Sequence, residues 1–335
     1  MIPLLRLPKR ALDIVLWNMT TMNQFLLSLY YDHLKSRIKT LTNGLNLSFK
    51  MSVSEVLYMY IVGSNCEWLD FGIVESESVS KKEGEPKRSF TENDLVVISY
   101  SDADCDYGWR FEAQKSARQW VLLIMEVFSL TKITNLEYVT DDYRFDSVKE
   151  VFKGIPLERL MISGNEIASK YQNVLNTISP SLHLMQETDP ANSFQNVLIQ
   201  NFESIDLSFQ LNLPDLLITN SKFLKISGEN FTIKKLNEFL KLWRKGSNPN
   251  AKHFSIPSAP MQEDDDVMNV LNGIPYESVP DTVERSFLKL YSFLPATYTI
   301  RGGYDIKRMT DGRKATVKLE HWWRCLSFDF FVWDE

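Results

Sequence analysis

The sequence predicts an α+β or α/β protein, in which a short helical segment precedes a strand–helix domain that ends in an antiparallel hairpin. Three observations predict this class. Apolar residues recur with helical spacing over the first forty or so residues, and short strand-like runs alternate with helical runs after about residue 135. A hairpin turn signal followed by alternating apolar residues lies near the C-terminus. At 335 residues, two domains or one large and one small are expected.

Three short helices are predicted at the N-terminus, each with one apolar stripe. The stripes are Leu12, Val15, Leu16 and Met19 in the first helix, Phe25, Leu26 and Leu29 in the second, and Leu34, Ile38 and Leu41 in the third. Pro8 lies just before the first helix, Thr21 with Gln24 predicts a capping box for the second, and Asn43-Gly44 predicts the end of the third. Helices this short bury little area alone, so their remaining apolar surface is expected to bind a partner.

Charge is distributed unevenly along the chain. Residues 1–40 carry a net charge of +4 and the remaining residues −10, within a total of −6. A basic segment on an acidic body predicts contact with an acidic surface, although simple solvation of these charges is an open alternative. The negative total argues against a general nucleic-acid-binding protein.

Cysteine usage and hydropathy indicate an intracellular chain without a membrane span. Cys66, Cys105 and Cys325 are odd in number and far apart, which fits neither a disulfide framework nor a metal site. Arg6 and Lys9 interrupt the apolar start too early for a signal-peptide core, and no run of about 18 apolar residues occurs. A cytoplasmic or nuclear location is therefore expected.

The middle of the chain changes from strands to a helix. Val53–Val62 and Leu95–Tyr100 are predicted strands, separated by a polar loop over Glu75–Arg88. Apolar residues from Ala117 to Phe128 then recur with the spacing of an amphipathic helix.

From about residue 135 the chain alternates between short strands and helices. The predicted strands are Leu136–Val139, Leu157–Ile162, Val197–Ile199, Phe223–Ile226 and Phe254–Ile256. The clearest helix runs from Ile233 to Trp243 and ends before Gly246 and Pro249. Units at this spacing resemble leucine-rich-repeat architecture, and we expect a degenerate version of it. Asp311-Gly312 predicts the turn of the final hairpin.

No sequence motif predicts catalysis, a metal or a cofactor. Phosphate-binding, dinucleotide-binding, nucleophile-elbow and zinc-protease motifs are all missing, and the four histidines are scattered. Residues 102–108 begin like a calcium-binding loop, but Ala113 stands where the closing Glu belongs. Residues 263–266 are expected to form a solvated acidic loop, and Lys81, Lys82, Lys87 and Arg88 a solvated basic one. An enzyme whose site is assembled only by the fold is a third open alternative.

The N-terminal residues resemble an F-box. The resemblance rests on residues 4–8 (Leu-Leu-Arg-Leu-Pro), on Ala11, Val15, Met19, Leu26 and Ser28, and on residues 35–39. In that family these helices dock on the acidic surface of a Skp1-type adaptor and so join a cullin–RING ubiquitin ligase. The resemblance implies the following adaptor-binding residues: Leu4, Leu7, Pro8, Ala11, Val15, Met19, Leu26 and Leu29.

The rest of the chain resembles the F-box-associated domain (type 2) of a large, lineage-expanded family. The matching segments are residues 236–243 leading into 246–249, and residues 306–308, 311–312, 315–317 and 330–333. The implied organisation is an F-box over 1–44, a strand-rich connection over 45–115 and a repeat-like domain over 116–335. The implied function is that of a non-catalytic substrate-recognition subunit, with no cofactor and an unidentified target protein.

The alternative is an interaction scaffold whose F-box no longer binds the adaptor. It is favoured by Lys9 and Arg10, which occupy positions where F-box sequences commonly have apolar or aromatic residues.

Overall fold

A computed structural model describes residues 4–54, 56–63, 68–74, 95–101, 106–112, 115–139, 144–163, 171–181, 183–186, 194–227, 231–257, 267–289, 296–322 and 325–334. The chain is mixed α/β and divides into two compact units. The first comprises residues 1–160 and 171–179, and the second comprises residues 161–170 and 180–335. Among the described residues, no helix is long and apolar enough to cross a bilayer.

The first unit begins with a 3₁₀ turn over Leu4–Arg6 and three helices. These are α1 (Lys9–Trp17), α2 (Thr21–Tyr30) and α3 (Asp32–Thr42). Pro8 is the N-cap of α1, where its missing N–H costs no helical bond. Gly44 follows α3 with φ +97°, which a residue without Cβ adopts easily. The three predicted helices and the predicted stop after α3 are therefore confirmed.

The predicted cap of α2 is wrong by one residue. Thr20 is the N-cap, and its Oγ1 accepts a bond from the Asn23 amide at 3.2 Å. Gln24 takes no part in capping. Its buried side chain instead donates to the carbonyl of Leu16 at 2.9 Å, because the turn between α1 and α2 brings that carbonyl close.

A mostly antiparallel sheet follows these helices in the first unit. Its strands are β1 (Ser48–Val53), β2 (Leu57–Val62), β3 (Trp68–Val74), β4 (Leu95–Ser101), β5 (Asp106–Glu112) and β6 (Asn135–Tyr138). Strands β1 to β5 follow one another as an antiparallel meander, and β6 adds parallel to β1. The predicted strand at 53–62 is thus two strands joined by a turn, and the one at 95–100 is β4. The predicted loop over residues 75–88, with its basic residues, lies outside the described residues.

Three further helices complete the first unit, namely α4 (Ala117–Val127), α5 (Phe145–Phe152) and α6 (Tyr171–Thr177). Helix α4 begins with a complete Ser116–Gln119 capping box. Strand β7 (Arg159–Ile162) contains the division between the units.

The N-terminal helices pack into the core of the first unit. Phe25 of α2 is fully buried, with its ring centroid 4.8 Å from that of Phe71 on β3 and 6.0 Å from that of Phe128 after α4. Lys35 forms a 2.7 Å ion pair with Glu126 of α4. These contacts hold the three helices against the body of the unit.

The second unit contains a row of parallel strands followed by antiparallel ones. The elements in chain order are β8 (His183–Gln186), α7 (Gln195–Leu198), β9 (Ser204–Leu207), α8 (Leu213–Ile218), β10 (Phe223–Ile226), α9 (Ile233–Arg244), β11 (His253–Pro257), a 3₁₀ turn (Val267–Leu271), β12 (Glu277–Lys289), β13 (Ala296–Lys307), β14 (Lys314–Trp322) and β15 (Cys325–Val332). Strands β8, β9, β10 and β11 are parallel neighbours in that order. Strand β15 adds antiparallel to β11, and β14, β13 and β12 follow outward.

Most predicted elements of this unit are confirmed, but one predicted strand is a helix and the strand itself lies a few residues later. Helix α9, the strands at 223–226 and 254–256, and the hairpin turn at Gly312 (φ +76°) all occur as predicted. Val197–Ile199, however, is not a strand, because Gln195–Leu198 forms a short helix that buries Val197 and Leu198. The strand lies instead at Ser204–Leu207. It was not predicted because its Ser and Asp residues interrupt the run of apolar residues.

Candidate functional site

The N-terminal helices present a mixed surface of half-buried and exposed residues. Of the predicted adaptor-binding residues, Pro8 is exposed and the others are half-buried, namely Leu4, Leu7, Ala11, Val15, Met19, Leu26 and Leu29. None of them belongs to the fully buried core of the described residues. In α1 the core residues are Leu12 and Leu16, which are 4% and 0% exposed.

Two apolar side chains of α1 face away from that core. Ile14 is 64% exposed and Trp17 is 53% exposed. Together with Arg10 they are spaced i, i+4 and i+7, so they lie on one face of α1, opposite Leu12 and Leu16. Large apolar side chains left in water on one helix face indicate an interaction surface. The stripe assigned from the sequence did not include Ile14 or Trp17.

The charges around this exposed face are positive. Lys9 and Arg10 are exposed and have no carboxylate partner within 4 Å in the part of the chain that the structure describes. Arg37 is compensated by Asp13 at 3.3 Å. The face formed by Arg10, Ile14 and Trp17, with Lys9 beside it, is hereafter the α1 face. It combines apolar contact area with uncompensated positive charge.

A cavity of about 280 Å³ lies next to the α1 face within the first unit. Its lining includes Trp17, Met19, Leu45, Leu47 and Phe128. Thr42, also in the lining, is anchored by a bond from its hydroxyl to the carbonyl of Val127 at 3.3 Å. Trp17 therefore belongs both to the α1 face and to the lining of this cavity.

Three of the four parallel strands of the second unit, β9, β10 and β11, are each preceded by an asparagine, and these asparagines form a hydrogen-bonded ladder. Asn201, Asn220 and Asn250 each lie three residues before a strand, and those strands begin in register. The Asn250 amide donates to Asn220 Oδ1 at 2.8 Å, and the Asn220 amide donates to Asn201 Oδ1. The ladder links three successive turns of the chain.

A short internal repeat accompanies this ladder. The three segments read Asn-Phe-Glu-Ser-Ile-Asp-Leu from residue 201, Asn-Ser-Lys-Phe-Leu-Lys-Ile from 220 and Asn-Ala-Lys-His-Phe-Ser-Ile from 250. Their fifth and seventh residues are apolar and buried in all three. The pattern is visible in the sequence and was missed, because its spacings of 19 and 30 residues are unequal.

Side-chain ion pairs connect the same strands. Lys222 bonds Glu203 at 2.9 Å, and Lys225 bonds Asp206 at 3.2 Å. Asp206 is 2% exposed, and its burial raises the pKa of its carboxyl, an effect that Lys225 partly opposes. A buried carboxylate held by one lysine is a specific register contact between β9 and β10.

The described residues contain no assembled cluster of metal ligands. No group of three or more potential metal ligands occurs among them. His33 is exposed, and His253 is buried, stacked on Phe331 and bonded to Asp329 at 2.8 Å. The side chains of His183 and His321, residues 102–105 of the calcium-like segment and residues 263–266 of the acidic loop lie outside the described residues.

Comparison with known proteins finds a family match in the region that contains the asparagine ladder. Residues 193–256 match the family model described as F-box associated. The matched region runs through α7, β9, α8, β10 and α9 to β11, and so contains the whole asparagine ladder.

A relative from Caenorhabditis elegans extends the similarity. The F-box associated domain-containing protein sdz-33 is 25% identical over 254 residues, covering 76% of this chain and 78% of that protein. No solved structure matches the chain. The predicted resemblance to the F-box-associated family is therefore confirmed, by the family match over residues 193–256 and by this relative.

Proposed function

We propose that this chain is the substrate-recognition subunit of an SCF-type (Skp1–cullin–F-box) ubiquitin ligase. Residues 1–44 act as an F-box that docks on a Skp1-type adaptor, and the repeat-like domain holds a target protein. The chain itself supplies no acid, base, nucleophile or cofactor. Ubiquitin transfer is accelerated because the target is held at a high effective concentration near the loaded enzyme.

The observation that carries this proposal is the α1 face. Ile14 and Trp17 are more than half exposed beside uncompensated Lys9 and Arg10. An acidic partner with an apolar groove complements such a face, because it covers the apolar area and pairs the cations. The docking residues in this proposal are Ile14 and Trp17 together with Leu4, Leu7, Pro8, Ala11, Val15, Met19, Leu26 and Leu29.

The repeat-like character of the second unit supports the target-binding part. Four parallel strands with helices between them, and an asparagine ladder before three of the strands, resemble a short degenerate leucine-rich-repeat array. In this proposal the boundaries 1–44, 45–115 and 116–335 are functional segments, and the protein works in the cytoplasm or the nucleus without binding nucleic acid or membrane.

The test is co-purification of the full chain with a recombinant Skp1-type adaptor. We expect a stable complex, and we expect Ile14→Asp/Trp17→Asp to weaken it at least about a hundredfold, because both anchors are removed and a negative charge faces an acidic partner. Leu7→Ala/Pro8→Ala should weaken it in the same direction.

The matched control is Ile199→Asp, which changes a side chain that is 55% exposed in the second unit. This variant should keep full adaptor binding. Failure of the unaltered chain to bind any Skp1-type adaptor would sink the proposal.

A second candidate function is an interaction scaffold that binds its target without the adaptor. Lys9 and Arg10 at the start of α1 favour it, because they replace apolar or aromatic residues common in the F-box family. Lys9→Leu/Arg10→Leu distinguishes the two functions. If this variant binds the adaptor and the unaltered chain does not, the scaffold is the correct function.

A further inference from the structure

The second unit contains a small pocket where α9, β12, β13 and β14 meet at their ends. Its volume is about 330 Å³, within the range of specific ligand sites. Three cations line it, namely Arg244 at the end of α9, Lys307 at the end of β13 and Lys314 at the start of β14. We refer to it as the basic pocket.

Two of these cations repel each other. Lys307 and Lys314 are directly opposite in the antiparallel pair β13–β14. Like charges at opposed positions destabilise a sheet, so the fold keeps this pair at a cost. Within the described residues, neither lysine has a carboxylate within ion-pair distance.

The third cation is held in place by a hydrogen bond to the backbone. Arg244 Nε donates to the carbonyl of Lys307 at 3.2 Å, which fixes the plane of the guanidinium. Its terminal N–H groups have no protein partner among the residues that the structure covers. A fixed guanidinium beside two lysines is suited to a group with several anionic oxygens.

The acidic residues in the lining compensate these cations only in part. Asp305 is already neutralised, because Arg285 donates three bonds to it at 3.1 Å and the Thr316 hydroxyl donates another at 2.6 Å. Glu277 is the remaining carboxylate and is exposed. The pocket therefore keeps a positive balance on a chain whose net charge is −6.

The surroundings of the pocket favour a peptide as the source of the anion. Strand β12 begins at the pocket with Glu277 and is the outermost strand of its row, where it pairs with β13 alone in the described part of the chain. An outer edge of this kind can pair with an extended peptide. Tyr276, 45% exposed and edge-to-face with Tyr304 at 5.4 Å, adds an apolar wall.

We infer that the basic pocket binds an anionic side chain, phosphorylated or acidic, of an extended peptide segment. This inference rests on the proposed function, because it identifies that peptide as part of the target protein. Arg244 engages two oxygens of the anion, and Lys307 and Lys314 gain the counter-charge that they lack.

The experiment uses the full chain and three labelled, terminally blocked peptides that differ at one residue: Ala-Ala-X-Ala-Ala, with phosphoserine, aspartate or serine as X. Fluorescence anisotropy at low salt should show binding in the order phosphoserine, aspartate, serine, and binding should weaken as salt rises. Lys307→Met/Lys314→Met should weaken phosphopeptide binding by at least roughly tenfold, whereas Glu277→Gln should strengthen it.

The control is Lys234→Met/Lys235→Met, which removes the same charge from the start of α9, away from the pocket. It should leave binding unchanged apart from a small non-specific effect. Unfolding curves should show Lys307→Met/Lys314→Met to be at least as stable as the unaltered chain, because a repulsion is relieved.

Equal anisotropy for the phosphoserine and serine peptides at up to about 1 mM protein, or equal loss in both double variants, overturns the inference. Adaptor co-purification is measured on the same preparations. Adaptor binding without peptide discrimination sinks this inference alone, and the reverse outcome sinks the adaptor role alone.

Discussion

Asn250 donates a 2.8 Å hydrogen bond from its side-chain amide to Oδ1 of Asn220, across a sequence separation of 30 residues. Asn220 in turn donates to Asn201, so it is both acceptor and donor in the ladder. The bonds lie before strands that start in register at Ser204, Phe223 and His253. The ladder thus ties together the turns of the segment that matches the F-box-associated family.

Replacement of the middle asparagine should weaken the second unit. We expect Asn220→Ala to lower the free energy of unfolding by about 1–2 kcal/mol, because two hydrogen bonds are lost at once. Urea denaturation followed by circular dichroism measures the change. Asn269→Ala, at an exposed position in the 3₁₀ turn, should change it by less than about 0.5 kcal/mol. Equal effects of the two changes would contradict a structural role for the ladder.

The buried carboxyl of Asp206 should make stability depend on pH. Burial raises the pKa of the Asp206 carboxyl above its ordinary 3.8. The stability that the protonated carboxyl contributes is therefore fully present below pH 3.8, and it is lost as pH rises through the pKa of the folded state. Asp206→Asn mimics the protonated form at every pH. The stability of this variant relative to the unaltered chain should therefore be greater at about pH 7 than at about pH 4. Urea midpoints at the two pH values test the sign.

Removal of the partner of Asp206 should have the opposite effect. Lys225→Met leaves the buried carboxylate without its 3.2 Å ion pair, and we expect a loss of about 1–3 kcal/mol at neutral pH. The loss should be smaller at about pH 4 than at neutral pH, because the raised pKa of Asp206 leaves more of its carboxyl protonated at the lower pH. A pH-independent loss would show that Lys225 acts through packing alone.

The N-terminal helices should unfold together with the rest of the first unit. Phe25→Ala removes a fully buried ring that contacts Phe71 and Phe128, so we expect a loss of about 3–5 kcal/mol. Tyr30→Ala, in the same helix but 70% exposed, should cost less than about 0.5 kcal/mol. Circular dichroism on heating, in the far ultraviolet for helix content and in the near ultraviolet for aromatic packing, provides the measurement. Melting of the helices ahead of the body of the unit would be inconsistent with this packing.

A glycine in β13 should tolerate no side chain. Gly303 has φ +104°, and a Cβ there would meet Thr316 Cγ2 at 2.8 Å and the Val317 carbonyl at 3.0 Å. Gly303→Ala should therefore destabilise the second unit by about 1–3 kcal/mol. Gly312→Ala distinguishes the cost of backbone strain from the cost of a steric clash. Gly312 also has a positive φ, but a Cβ added there would have nothing within 4 Å. It should cost less than Gly303→Ala in the same denaturation experiment.

Local signals predicted most of the elements that have strong helical spacing or turn residues. Helices α1, α3, α4 and α9 and the turn at Gly312 all follow from such patterns. The error at 197–199 has a physical cause, because three apolar residues fit a short buried helix as well as a strand. Strand β9 was missed because two of its four residues are polar, although all four are buried.

The sequence placed Leu12 and Leu16 in one apolar stripe of α1, but it did not show that Ile14 and Trp17 would be left in water. Apolar residues occupy almost all of Ala11–Trp17, so the Leu12/Leu16 row and the Ile14/Trp17 row both fit a core-facing stripe. The choice between them depends on distant residues, Phe71 and Phe128, against which the N-terminal helices pack through Phe25. The basic pocket could not be predicted either, because Arg244 and Lys314 are 70 residues apart in sequence and come together only in the folded chain.

The sequence by itself determined the fold class, most of the local elements and the resemblance to the F-box-associated family, since these depend on periodicity, caps and turns within short windows. The tertiary structure alone decided which side chains are left in water, which cations lack a partner and how the three asparagines align. Those properties depend on burial and on charge pairing between distant segments, and a linear pattern contains neither.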